Sequence, residues 1–161
     1  MTKSAAIPLM NRFGLARHRP VGTWTVATGP EPIVGTGYRR DAVQDYCDAV
    51  RRAERYGLRY GVRLRREPHS PDDEEIITVI GTVDSRGPMG RRRQQEWTIG
   101  VLSRGLTRQV TDRFLDRGRE IAAELISIID TADSAPLVSL SILVPAETTE
   151  HTMRPRLSVV Q

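Results

Sequence analysis

Residues 76–83, Ile-Ile-Thr-Val-Ile-Gly-Thr-Val, are apolar or β-branched almost throughout. Side chains of this kind are stiff at χ1 and suit a pleated, packed surface, so the run predicts the central strand of a sheet. Its neighbours fit the same sheet. Tyr60, Val62 and Leu64 alternate with Gly61, Arg63 and Arg65, which predicts a strand near 60–66 with one charged face. Trp97, Ile99 and Val101 alternate with Glu96, Thr98 and Gly100, which predicts a further strand near 96–102. Residues 85–95 between them are polar and rich in Gly, Pro and Arg, and read as a connection long enough to be mobile or functional.

Helical periodicity flanks this group. Asp41 and Gln44 have the spacing of an N-cap and its capping-box partner. Val43, Tyr46, Cys47, Val50 and Ala53 then share one face of a helix near 41–56, and Gly57 is positioned to end it. Leu106, Val110, Phe114 and Leu115 mark a second helix near 104–117, with Gly118 as its stop. Residues 121–129 suit a helix by their alanines and glutamates and a strand by their isoleucines. Their place before an apolar strand at 137–144 favours β. Residues 23–26 and 33–36 read as short strands, and 157–160 could add an edge strand. The break Gly29-Pro30-Glu31-Pro32 divides the chain into a partly flexible extension (1–32), a folded domain (33–144) and a polar tail (145–161).

A chain of 161 residues fits one domain with tails. Its single cysteine, Cys47, excludes an internal disulfide framework and a cysteine zinc cluster, and suits a reducing cytoplasm. The apolar patch at 5–10 is interrupted by Pro8 and is too short for a signal segment. No stretch approaches the roughly 20 apolar residues that span a membrane. The sequence therefore predicts a soluble cytoplasmic protein without a membrane partner.

The net charge is +4, and of the 24 basic residues only Lys3 is not arginine. A GC-rich genome alone produces such a bias, so local clusters carry more information than the total. They are Arg39-Arg40, Arg51-Arg52-Arg55, Arg63-Arg65-Arg66 and Arg91-Arg92-Arg93. The guanidinium fork matches phosphate oxygens and stacks on bases. Tyr38 beside Arg39 and Arg40 combines a flat ring with donors, although the ring could equally pack at the start of the first helix. Arg66 could contact phosphate or pair with Glu67 or Asp73. Arg91, Arg92 and Arg93 read as an exposed loop able to touch a nucleic-acid backbone.

Catalytic patterns are scarce. His18, His69 and His151 are scattered, and HExxH, CxxC and GxSxG are absent from the sequence. Gly35-Thr36-Gly37 lacks the third glycine of a dinucleotide fingerprint. Cys47, on the apolar face of the first helix, reads as a core thiol. The run Asp72-Asp73-Glu74-Glu75 could hold magnesium or form a solvated turn capped by aspartates. No cofactor is expected.

Three blocks, taken in order, resemble the HIRAN domain, a small β-rich module associated with DNA. Ile33-Val34-Gly35 with Tyr38 is similar to the opening Val-Val-Gly strand and the aromatic that follows it. Arg66, Glu67, Pro68, Pro71, Asp73 and Ile77 fit the second block, and Ile99-Gly100-Val101-Leu102 the third. Ser70, Asp72 and Val101 depart from the family's asparagine and its flat side chains, which weakens stacking, and Asp72 adds a charge that repels phosphate. In HIRAN domains the aromatics and the aspartate line a pocket for the end of a DNA single strand. The resemblance covers about 33–130.

The fold expected from all of this is mainly β with two helices (α+β), a small barrel-like sheet resembling a modified OB fold. The expected function is a non-catalytic DNA-binding module for single strands or ends, in replication or repair. Tyr38 would stack, Arg39, Arg40 and Arg66 would hold phosphates, and Asp73 would order its loop or accept a bond from a terminal hydroxyl. A protein–protein adaptor on the same fold is the alternative. A magnesium nuclease using Asp72, Asp73 and Glu75 comes third.

Overall fold

The computed structural model describes residues 20–68, 74–130 and 134–146, and the backbone of Ala5–Ala6. The strands are β1 (Ala5–Ala6), β2 (Trp24–Val26), β3 (Glu31–Pro32), β4 (Tyr60–Arg66), β5 (Ile77–Arg86), β6 (Arg92–Val101), β7 (Ala122–Asp130) and β8 (Leu137–Pro145). The helices are α1 (Arg40–Tyr56) and α2 (Arg104–Arg113). This is the α+β class that the periodicities predict.

β5 is the middle strand of an antiparallel sheet, β4-β5-β6. Tyr60 pairs with Val83 and Arg66 with Ile77 on one side, and Thr78 with Val101 on the other. A bulge where the pairing steps from Val79–Gly100 to Ile80–Thr98 leaves Ile99 as the extra residue of β6. The ladder then continues past the core to an Arg86–Arg92 pair. Residues 85–95 are therefore a hairpin and not the expected loop. Their polarity reports exposure of a ribbon that outruns the helices, while backbone groups pair whatever their side chains are. Only residues 87–91 turn, closed by Gly87 N–H donating to the Arg91 carbonyl at 2.6 Å.

The second sheet is built on the β7–β8 hairpin, where Ala122 pairs with Leu143 and Ile129 with Leu137. That pairing settles the helix-or-strand ambiguity of 121–129 in favour of β. β2 and β3 both pair with β8, and β1 pairs with β7, so residues assigned to the extension contribute strands. The sheets meet at Val34. Ile33 N–H donates to the Val138 carbonyl at 2.9 Å, and Val34 exchanges two backbone bonds with Val101 at 2.9 and 3.0 Å. The expected strand at 33–36 shrinks to this bridge, because Gly35 turns the chain at φ 79 into a 3-10 turn, Thr36–Arg39.

The resulting order, β4-β5-β6-Val34-β8-β7, curves almost into a barrel. β4 and β7 come alongside each other but are not hydrogen-bonded neighbours. Closure thus fails at one seam. A groove of roughly 670 Å³ opens there, lined by residues 59–64, residues 120–123, Val21 and Trp24.

α1 belongs to the same core as both sheets. Val43, Tyr46, Cys47, Ala49, Val50 and Ala53 are buried. Gly57, at φ 70, ends the helix by donating its N–H to the Ala53 carbonyl. Asp41 does not cap: the 3-10 turn feeds straight into the helix, Arg39 occupies the cap position without a side-chain bond, and Asp41 falls in the first turn. A carboxylate there still favours the helix dipole. At α2, Ser103 Oγ accepts the Leu106 N–H at 3.3 Å. The helix breaks at Phe114, φ −128, and a 3-10 turn, Leu115–Arg117, reaches Gly118 at φ 68.

Burial pushes the Cys47 thiol up to about 12, against a smaller lowering by Arg51, which is itself held by Asp130 and by Asp48 at 2.9 Å. A thiol whose folded pKa is raised favours the folded state below its unfolded pKa, near 8.5, and loses that contribution as pH rises toward 12. Two results are expected. An aromatic disulfide reagent at pH 8 reacts with Cys47 only after denaturation. The alkaline loss of stability between pH 9 and 12 shrinks in Cys47→Ala. Rapid labelling of the native protein would contradict the burial argument.

Candidate nucleic-acid interface

The described residues of three sequence blocks, 33–35, the two ends of 66–77 and 99–102, meet at one end of the β4-β5-β6 sheet. Arg66 faces Ile77, Val34 bridges to Val101, and Leu102 N–H donates to the Ile77 carbonyl at 3.0 Å. Gly100 makes the approach possible, since a Cβ there would lie 2.5 Å from the Val34 carbonyl oxygen. The 3-10 turn that follows Val34 lifts Tyr38 clear of the body. Its ring is 98 % exposed, so it does not pack at the helix start, and it stands on a turn and not at a strand end. Arg39 and Arg40 are exposed and make no ion pair with the described residues.

Arg66 differs. Its guanidinium is taken by Glu75 and by Asp116 at 3.4 Å. Neither is a partner expected from sequence. Glu67 is instead held by Thr78 Oγ1, which donates at 2.7 Å, and by Arg65 at 2.9 Å. The Thr78 bond first, and Arg65 second, hold the Glu67 carboxyl below its usual range. Asp73, with His69, Ser70, Pro71 and Asp72, lies outside the described residues, as do His18, His151 and the expected edge strand at 157–160. Of the carboxylates read as a magnesium set, Glu75 faces a guanidinium. Among the described residues, no group of three His, Cys, Asp or Glu is arranged to hold a metal ion.

Arg91, Arg92 and Arg93 belong to the opposite end of the sheet. β5 runs ten residues from Ile77 to Arg86; at about 3.3 Å per residue this separates the two clusters by roughly 30 Å. They do not converge on one contact point with Tyr38. They gather with groups that sequence reasoning left out: Arg86, paired across from Arg92, and Met89 at the turn. None of these four arginines has an ion-pair partner among the described residues. Beside the hairpin, the outer face of α1 supplies Arg52, Arg55 and Tyr56, whose ring is 70 % exposed. A shallow groove joins Arg52, Tyr56, Arg86 and Gln95, and a larger one of roughly 570 Å³ continues past Arg55 to Trp97. The missed signal was the turn sequence Gly-Pro-Met-Gly between two polar segments of similar length, the mark of a hairpin.

The chain is thus a small α+β domain with an open-seamed, curved sheet and, at two ends, arginines without an ion-pair partner among the described residues. Comparison with protein families, with curated proteins and with solved structures finds no match.

Proposed function

We propose that the protein is a non-catalytic DNA-binding module. The observation that carries this reading is the division of its arginines. Arg51, Arg63, Arg65, Arg66 and Arg104 are neutralised by carboxylates, while Arg39, Arg40, Arg86, Arg91, Arg92 and Arg93 are exposed and have no such partner among the described residues. Unpaired guanidinium groups beside an exposed ring suit phosphate and base together. In this reading Tyr38 stacks on the base of a single strand or end, and Arg39 and Arg40 hold its phosphates. Arg66, already ion-paired, steadies the rim and does not touch DNA. The HIRAN resemblance agrees with such a role, and Asp73 would order the loop beside it.

Phosphate contacts release counterions, so single-strand affinity should fall with salt at a log–log slope of roughly −0.7 per contact. Arg39→Ala with Arg40→Ala should flatten that slope by about one to two units. Tyr38→Ala should weaken binding by roughly 1–3 kcal/mol with little change of slope, because stacking releases few ions. Absence of binding to single-stranded, duplex and overhang DNA at low salt would end this reading. A protein–protein adaptor is the second reading, supported by the β4/β7 seam, where the edge of β4 and the Ala122–Ala123 end of β7, away from the β1 pairing at Ile129 and Asp130, border a groove that an added strand could occupy. Capture of an extended peptide by the seam, with no DNA affinity, would favour it.

A further inference from the structure

We propose that the β5–β6 hairpin is an arm that inserts Met89 at a base step of duplex DNA, while Arg86, Arg91, Arg92 and Arg93 hold the flanking phosphates. The proposal rests on the DNA-binding reading and adds a second contact, at the end of the sheet away from Tyr38.

The turn is the first ground. Gly90 N–H donates to the Gly87 carbonyl at 3.3 Å, which puts Pro88 and Met89 in the central positions. Proline suits the first of these because its ring presets φ. The second adopts φ 64, ψ 24, and Met89 is the one non-glycine at positive φ among the described residues. Glycine is the ordinary occupant of such a position, since a Cβ crowds the backbone there. A large side chain is thus kept at a site where the backbone disfavours one. It serves no core, for Met89 is 98 % exposed. Residues held in such sparsely populated conformations cluster at functional sites.

Charge is the second ground. Arg86 and Arg92 are directly opposed across the ribbon, and Arg93 is paired with Ser85 one step inward. Like charges opposite one another destabilise a strand pair. Among the described residues no carboxylate relieves them. A polyanion would. Methionine and proline are among the apolar wedges by which minor-groove proteins part stacked base pairs, and flanking arginines follow the backbone. A membrane surface fits less well, because one methionine offers little apolar area beside four guanidinium groups.

The test uses the full chain and a short duplex carrying a donor and an acceptor dye at its ends. Wild type should bind at low salt and bring the ends closer. Met89→Gly keeps the turn and relieves its backbone, so thermal stability should not fall. Duplex affinity should drop roughly tenfold and the bend should vanish. Met89→Leu should retain both. Arg92→Ala with Arg93→Ala should flatten the salt slope by about two units. Unchanged affinity and bend in Met89→Gly would overturn the wedge while leaving the DNA reading intact. Absence of binding to any DNA would remove both. If Met89→Gly lost binding to phosphatidylserine vesicles but not to duplex, the arm would be a membrane device and the proposal would be wrong.

Discussion

Tyr46→Ala is expected to destabilise the protein by about 4 kcal/mol, measured as a shift of the denaturant midpoint. Tyr46 is fully buried on α1, and its hydroxyl donates to the Gly61 carbonyl of β4 at 2.5 Å. Its ring lies against Gly81 of β5, where a Cβ would sit 2.7 Å from ring carbons, and 5.9 Å from the Trp97 ring of β6. One side chain therefore ties the helix to all three strands. Truncation adds an unfilled cavity to a carbonyl that loses its partner. Tyr46→Phe, which removes only the hydroxyl, should cost about 1–2 kcal/mol. Gly81→Ala should be harmful alone and much less so in Tyr46→Ala, since the second change removes the ring that the new methyl meets. Additive losses would mean that the ring and Gly81 do not share the contact argued here. Burial also raises the Tyr46 hydroxyl well above its ordinary pKa, with smaller contributions from Cys47 and Tyr60, so it stays a donor throughout the range of these measurements.

The same residues show what the sequence could reveal. The face Val43, Tyr46, Cys47, Val50 and Ala53 was legible because burial selects apolar side chains at the helical period, and all five are buried. Gly57 and Gly118 were legible because a left-handed stop favours glycine, and both adopt positive φ. β5 was legible only over its buried part. The extension to Arg86 was not, since exposed strand residues obey no apolar alternation. The partners of Arg66 were hidden for another reason. Asp116 is remote in sequence and arrives through the fold, whereas Glu67 was an obvious neighbour already held by Thr78. The open seam was hidden too, because whether β4 and β7 bond to each other depends on the curvature of the whole sheet and not on either strand's residues.

That curvature turns on Gly100. Gly100→Ala is expected to cost about 3 kcal/mol, the upper part of the usual range for overpacking. The added methyl would lie 2.5 Å from the Val34 carbonyl oxygen and 3.2 Å from Ile33 Cδ1. The carbonyl cannot yield cheaply, because it accepts the Val101 N–H at 3.0 Å in the bridge that joins the two sheets. Either the bridge opens or the backbone of β6 shifts at its bulge. Gly105→Ala is the matched control. Gly105 lies in α2 with nothing near its missing Cβ, and alanine there should stabilise by roughly 0.5–1 kcal/mol. Both variants can be read by denaturant unfolding, with exchange of the Val34 and Val101 amides as a local probe. Faster exchange at those amides in Gly100→Ala, and not in Gly105→Ala, is the expected sign that the sheets part at this point. Equal effects from the two substitutions would mean that the glycine is tolerated and not required. The consequence for the rim is direct. Tyr38, Arg39 and Arg40 begin the segment that leaves Val34 through Gly35, so their position relative to Arg66 is inherited from a contact that only glycine at position 100 permits.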